Sequence, residues 1–298
     1  MQWQGINEFV AVAETENFTQ ASKQLKISTA QVSRQVSALE KRLAIKLFYR
    51  TTRSVTLTEE GSIFYQHCRS VLDGLDAAEQ AVTHLQSTPQ GKIKLTVPVT
   101  YGELVILPLV NNFLLNYPDI NVSAYLSNQT IDLVDQGYDL AIRLGKLEDS
   151  SMMAKKLTNR STYVCASPDY IAQFGSPQTL AELVQHNCLL GSLDFWRFRV
   201  DNQERNIRVK GRLRYNSGFS LTDAALKGLG LVQLPDYYVE KHIKSGSLVT
   251  VLERYNQTDE GVWALYPHNR QLSTKIRLLV DYLTQNIEHS ALHKQLLR

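Results

Sequence analysis

Apolar residues in the first fifth of the chain recur at helical spacing. Trp3, Ile6, Phe9/Val10 and Ala13 mark one amphipathic helix. Asn17 is placed to cap a second, NFTQASKQL, with Phe18, Ala21 and Leu25 turned inward. After a short turn around Ile27, Ser28 is a good N-cap for a third helix running to about Leu43. At about 100° per residue, Val32, Val36, Leu39 and Leu43 share one stripe. Ala30, Arg34, Ser37 and Lys41 lie opposite it, with Gln31 and Ser33 on the flanks. Small, polar and cationic, that face can enter a major groove, and the geometry is that of a helix-turn-helix. The period then changes to two in KLFYRTTRSVTLT, which predicts a short hairpin with Arg50 and Arg53 around a Thr-Thr turn. Such a wing would bring its arginines to phosphates or the adjacent minor groove.

From Thr58 to about Gln86 the pattern returns to helical. Phe64, Cys68, Val71, Leu75, Ala78, Val82 and Leu85 follow steps of four and three, an a/d seam kept for three heptads. A helix of that length spans roughly 40 Å. Two arrangements satisfy the seam: pairing with the same helix of a second chain, the preferred reading, or packing on the body of its own protomer. A homodimer would offer two recognition helices to two half-sites, hence an inverted-repeat operator.

Ser87-Thr88-Pro89-Gln90-Gly91 breaks the helix as a hinge. KIKLTV then reads as a strand, Thr100 to Asn116 as a helix, INVSAYL as a strand, TIDLVDQG as a short helix and YDLAIRLG as a strand. This alternation implies βαβ units and a parallel sheet. It restarts after STYVCASP with LAELVQH, NCLLGS, and FWRFRV and IRVKGRLRY as neighbouring strands. SGFSLTDAALKGLG follows as a helix, GLVQLP and WALYP as strands, and Thr274 to Asn286 as a last helix. Two α/β lobes flanking a cleft are the architecture this order predicts.

Charge sharpens the division. Residues 1–58 carry eight Lys/Arg against four Asp/Glu, whereas the whole chain of 298 residues is only +3. Between Lys23 and Arg53 eight basic residues face one acid, Glu40. The pattern is a small anion-binding head on a near-neutral body, with double-stranded DNA the first candidate partner. No run approaches the ~18–20 apolar residues of a membrane span, so no membrane partner is expected. The start, MQWQGINEFVAVAETE, lacks the basic region of a secretory signal, and three scattered cysteines form no disulfide framework. A reducing cytoplasmic location follows as the expectation.

The run FVAVAETENFTQASKQLKISTAQVSRQVSALEKRLAIKLFYRTTRSVTLTEEG closely resembles the N-terminal domain of LysR-type transcriptional regulators, almost without a break from Phe9 to Gly61. The resemblance implies that Thr29, Ala30, Ser33 and Arg34 face the groove and that Arg53 lies in the wing. Where the family often has Gln-Pro or Ser-Pro, this chain has Thr29-Ala30. With Ser28 and Arg50 these make the candidate DNA-contacting set. The resemblance also implies a linker helix that pairs two heads, and a two-lobed effector domain of the periplasmic binding protein type whose final helix returns to the first lobe. The expected division is a winged helix-turn-helix domain over 1–58, a dimerisation helix over 59–88 and a hinge at 89–91. Lobe I takes 92–161 and 268–298, and lobe II takes 162–267. Homotetramers through effector-domain contacts, and RNA polymerase as a further partner, belong to the same expectation.

Ligands in parallel α/β folds sit beyond the carboxyl ends of strands, where helix N-termini point inward. That rule selects Thr100, Tyr101, Asn128, Gln129, Arg143 and Asn216, with Trp196 and Phe198 as an apolar wall. Donors and one arginine without an acid favour a small organic anion as effector. The alternative is an Arg143 held structurally by Asp139 or Asp132. No cofactor and no metal is expected: His289 and His293 share a helix face but lack a third ligand. GxxxxGK[ST], GxSxG and HExxH are absent, so an enzyme is not expected. Cys165 and Cys188 sit in apolar strands, which favours inert thiols over a redox pair. A solute-binding module and an α/β enzyme with an accessory head are the competing classes; the missing secretory signal and the basic winged head count against the first.

Overall fold

The chain begins with three helices, α1 (Ile6–Thr15), α2 (Phe18–Leu25) and α3 (Thr29–Leu43). Both expected caps form. Asn17 Oδ1 accepts the N–H groups of Thr19 at 2.8 Å and Gln20 at 3.1 Å, and Ser28 Oγ accepts that of Gln31 at 3.2 Å. Trp3 lies before α1 and is largely exposed, so it does not extend the apolar stripe. The wing is β1 (Phe48–Arg50) paired antiparallel with β2 (Val55–Leu57), Phe48 opposite Leu57. Fully buried Phe9 sits at the centre of the head, its ring centroid 5.3 Å from those of Phe48 and Phe64. The linker helix α4 (Glu59–Thr83) starts hard against the wing, since a Cβ on Gly61 would stand 2.1 Å from the Leu47 carbonyl oxygen. Only glycine admits that approach.

This computed structural model describes residues 3–50, 54–83, 89–129, 133, 136–147, 152–256, 260–267 and 273–288. The first lobe opens with β3 (Gly91–Val97), so Gly91, expected in the hinge, is already strand. The helix expected from Thr100 is a short α5 (Val99–Tyr101), a π turn (Gly102–Ile106) and α6 (Leu107–Asn116) in sequence. Next come β4 (Ile120–Leu126), β5 (Leu140–Leu144) and a strand the alternation did not predict, β6 (Met152–Arg160). Most of TIDLVDQG lies outside the described residues.

The second lobe runs through β7 (Thr162–Ala166), α7 (Pro168–Phe174), β8 (Cys188–Leu189), β9 (Phe195–Val200) and β10 (Gln203–Arg208). It continues with α8 (Gly218–Leu226), β11 (Leu231–Pro235), α9 (Asp236–Lys244) and β12 (Val249–Val251). The chain then re-enters lobe I as β13 (Glu260–Pro267) and α10 (Thr274–Asn286). Segment LAELVQH is a short 3-10 turn, and the strand expected in IRVKGRLRY is instead β10, which starts earlier and ends at Arg208.

Lobe I is a mixed sheet in the order β4-β3-β5-β13-β6, and lobe II in the order β12-β7-β11-β8. β3 runs parallel to β4 and β5, but β13 is antiparallel to both β5 and β6. The expected division is corrected here: residues 260–267, assigned to lobe II, belong to the lobe I sheet. An apolar run fixes a strand but not its partner or direction, and β13 buries Val262, Ala264 and Tyr266 among lobe I residues. The last helix returns to lobe I, where Ile276, Leu279, Val280 and Leu283 pack with Phe113 and the strands.

Candidate DNA interface and interlobe pocket

On α3 the apolar stripe is satisfied from within: Val32 and Val36 are fully buried and Leu39 nearly so. Opposite, Ala30, Arg34, Ser37 and Lys41 are exposed, and Ser33 is half-buried. Two candidate contact residues also carry structural bonds. The Ser28 hydroxyl caps α3, and the Thr29 hydroxyl stands 3.0 Å from that of Ser22 on α2. Arg50 is engaged within the head: its Nη2 is 3.2 Å from Glu40 Oε2 and its guanidinium lies 4.8 Å above the Phe18 ring. Arg53 lies outside the described residues. Burial alone would raise the Glu40 carboxyl, but the Leu47 N–H, Lys46, Arg50 and the Phe48 N–H outweigh it and hold it below its ordinary value.

The α4 seam is divided. Phe64 and Cys68 pack into the head's own core, which corrects their assignment to a dimer seam. Helical periodicity shows that an apolar residue needs cover, not which chain supplies it. Val71 and Leu75 follow in register and are 40% and 53% exposed, so at these two positions the seam is largely uncovered by the described residues of the protomer. The Ala78 and Val82 side chains and Leu85 lie outside the described residues.

Between the lobes lies a cavity of about 340 Å³. Arg160 and Glu260 contribute from lobe I; Thr162, Gly191, Ser192, Leu193, Phe195, Trp196, Arg197, Gln233 and Pro235 from lobe II. Glu260 is buried and serves two guanidinium groups. Arg160 donates to its Oε2 through Nε at 2.9 Å and Nη2 at 2.5 Å, and Arg197 Nη1 reaches Oε1 at 3.3 Å. The Arg160 side chain is 13% exposed and that of Arg197 45%. Gln233 ties β11 to β9 by accepting the Arg197 N–H at 2.9 Å and donating to the Arg197 carbonyl at 2.7 Å. Two cations thus share one carboxylate, and only Arg197 has a substantial solvent-facing surface.

Of the residues selected at strand ends, Trp196 reaches this cavity. Phe198, expected beside it as wall, is fully buried in the lobe II core; along a strand the next residue but one faces the same side, and here that side is packed. Tyr101 is buried, its ring 5.4 Å from that of Tyr237, whose hydroxyl accepts from Arg160 Nη1 at 3.2 Å. Asn128 Oδ1 accepts the Val99 N–H at 3.0 Å, so it holds the start of α5, in which Thr100 lies. The Gln129 N–H donates to Ser127 Oγ at 3.1 Å, and Asn216 is exposed before α8. Arg143 Nη1 donates to the Ile142 carbonyl at 2.9 Å, while its buried Nη2 has no hydrogen-bond partner among the described residues. Asp139, weighed as its partner, accepts the Lys94 N–H at 2.8 Å, and Asp132 lies outside the described residues. Burial pulls the Arg143 pKa down, with nearby Tyr138 acting against it.

Sequence reasoning missed Arg160, Arg197, Gln233 and Glu260. Arg197 adjoins Trp196 in FWRFRV, the one local signal; the others meet it only through folding. All three cysteines are free and buried. Burial pushes the Cys165 and Cys188 thiols up to about 12 and that of Cys68 to about 11. β11 runs between Cys165 and Cys188, pairing with both their strands. His289 and His293 lie outside the described residues. Among the described residues no helix is long and apolar enough to cross a membrane.

Two family models match the chain. One is the bacterial regulatory helix-turn-helix protein, lysR family, over residues 3–62; the other is the LysR substrate binding domain, over residues 86–288. An uncharacterized HTH-type transcriptional regulator of Haemophilus influenzae is 36% identical over 276 residues, 91% of this chain and 96% of that protein. The structure of CrgA, a LysR-type transcriptional regulator from Neisseria meningitidis, is 31% identical with a TM-score of 0.59, covering 95% of this chain and 98% of CrgA. AphB, a virulence activator of Vibrio cholerae, is 30% identical with a TM-score of 0.59, covering 94% of this chain and 98% of AphB.

Proposed function

This chain belongs to the LysR family of DNA-binding transcriptional regulators, and from that premise we propose how its parts serve regulation. Two copies pair along α4 from Val71 onward and present two α3 helices to the half-sites of an inverted repeat. Side-by-side contacts of the effector domains build the tetramer. A small organic anion enters the interlobe cavity and changes how the lobes meet, and through the linker how the heads sit on DNA.

One observation carries the ligand class: half-exposed Arg197 lies at the wall of a cavity that also holds Trp196, and Glu260, its one carboxylate partner among the described residues, is already committed to Arg160. A planar or branched carboxylate would find a guanidinium and an aromatic surface together. Arg143 supports a second anion position, because its Nη2 is buried and has no hydrogen-bond partner among the described residues. The test is thermal unfolding of the full-length protein with a panel of mono- and dicarboxylates, neutral sugars and amines. Ligand binding raises the midpoint by an amount set by RT ln(1 + [L]/Kd). A carboxylate that stabilises the protein and alters its affinity for promoter DNA supports the reading. A response confined to amines or sugars overturns the anion.

A further inference from the structure

One carboxylate stands against the charge of the head. Glu40 is the single acid between Lys23 and Arg53, and it sits on the helix that has to face phosphates. Its side chain turns inward and is only 3% exposed. There Oε1 accepts the backbone N–H groups of Leu47 at 3.0 Å and Phe48 at 3.3 Å, where the chain enters the wing. Oε2 lies 3.2 Å from Lys46 Nζ and 3.2 Å from Arg50 Nη2. A single side chain of α3 therefore holds the wing by two backbone donors and two cations.

Arg50 extends the connection. Its guanidinium covers the Phe18 ring at 4.8 Å, and Phe18, the first residue of α2, meets Phe48 edge-on at 6.1 Å. The recognition helix, the wing strand and the other helix of the helix-turn-helix are thus closed into a ring of contacts. Apolar packing alone tolerates small slides of a hairpin over a helix. Two directed N–H bonds and a planar guanidinium seated on a ring do not. This arrangement sets the position of β1 along α3, and with it the position of the wing on a duplex.

We propose that Glu40 is a positioning residue for DNA binding, which acts with Arg50 to lock the wing against the recognition helix so that both engage one duplex together. Arg50 is the other half of this clamp, in place of the phosphate contact expected of it.

Pure electrostatics makes the opposite prediction, so the two are separable. Removing a negative charge from a DNA-binding face should tighten binding. Full-length Glu40→Gln is titrated by fluorescence anisotropy against a short labelled duplex of random sequence, across a series of KCl concentrations, with circular-dichroism melts alongside. The clamp predicts affinity weakened several-fold in a folded protein. It also predicts a salt dependence shallower by about 0.9 for each phosphate contact the wing gives up. Arg50→Lys keeps the charge but loses the planar seat, and Phe18→Leu changes no charge at all. Both should show the same loss in smaller measure. Equal or tighter binding by Glu40→Gln at an unchanged slope overturns the proposal. Weaker binding at an unchanged slope marks a general loss of folded heads and overturns it too. Should Glu40→Gln melt below the assay temperature, the other two variants decide, and wild-type affinity and slope in both refute the clamp.

Discussion

Arg34 lies nearly two turns beyond Ser28, the N-cap of the recognition helix, and the two fail in different ways when changed. Arg34 is exposed and projects from the face opposite the core, so Arg34→Ala should cost specific binding about 1–3 kcal/mol and leave the melting temperature alone. Ser28 caps the helix, so Ser28→Ala should cost about 1 kcal/mol of stability, read in a melt. Measuring both variants on an operator fragment and a random duplex separates reading from capping. Glu40 adds a pH dependence to the head. Its carboxyl is held below the ordinary value of 4.5, so its stabilisation is complete above that pH and fades as acid titrates the folded form. Acid melts below pH 4.5 should flatten in Glu40→Gln. The cysteines should be silent in the folded protein. With thiols at about 11 to 12, iodoacetamide at neutral pH should label them only after denaturation, and fast native labelling would contradict their burial.

Along α4 the same heptad stripe does two jobs. Phe64 belongs to the head core, where its ring meets Phe9, so Phe64→Ala should lower the head's stability by part of the ~3–5 kcal/mol of a full aromatic deletion. Leu75 is half-exposed, and Leu75→Glu should leave the monomer folded while placing two carboxylates at a symmetric apolar seam. Light scattering at micromolar concentration should then report smaller particles, and DNA affinity should drop as the two half-sites are read separately. An unchanged mass would mean that another surface pairs the chains. The wing and linker meet at Gly61, where any side chain would strike the Leu47 carbonyl; Gly61→Ala should therefore weaken DNA binding through displacement of α4 from the wing.

Across the whole molecule, the polar cluster at the lobe junction separates stability from response. Glu260→Gln leaves buried Arg160 without its counter-charge and should destabilise the effector domain by about 3–5 kcal/mol. Arg197→Ala removes a half-exposed partner, so the melt should barely change while stabilisation by carboxylates is lost. If Arg143→Ala abolishes that stabilisation and Arg197→Ala does not, the anion sits at Arg143. The head was legible in the sequence because its information is local. Caps at Asn17 and Ser28, the Val32–Val36–Leu39 stripe and the two-residue alternation of the wing strands each act within a few residues, and these elements form where their residues predict. The last helix, Thr274–Asn286, was legible for the same reason. Strand partners were not, because a period of two says which side is buried and nothing about the neighbour; hence β13 was assigned to lobe II, and β6, rich in lysine, was missed. The interlobe pocket was least legible of all. Arg160, Arg197 and Glu260 are far apart in sequence, and no local pattern distinguishes them from surface charges. They become a site only when lobe I brings β6 and β13 side by side and lobe II lays β9 against their ends. Periodicity and capping determined the elements; burial of one shared carboxylate between two lobes was decided by tertiary structure, since the cost of an unpaired charge exists only once the chain has closed around it.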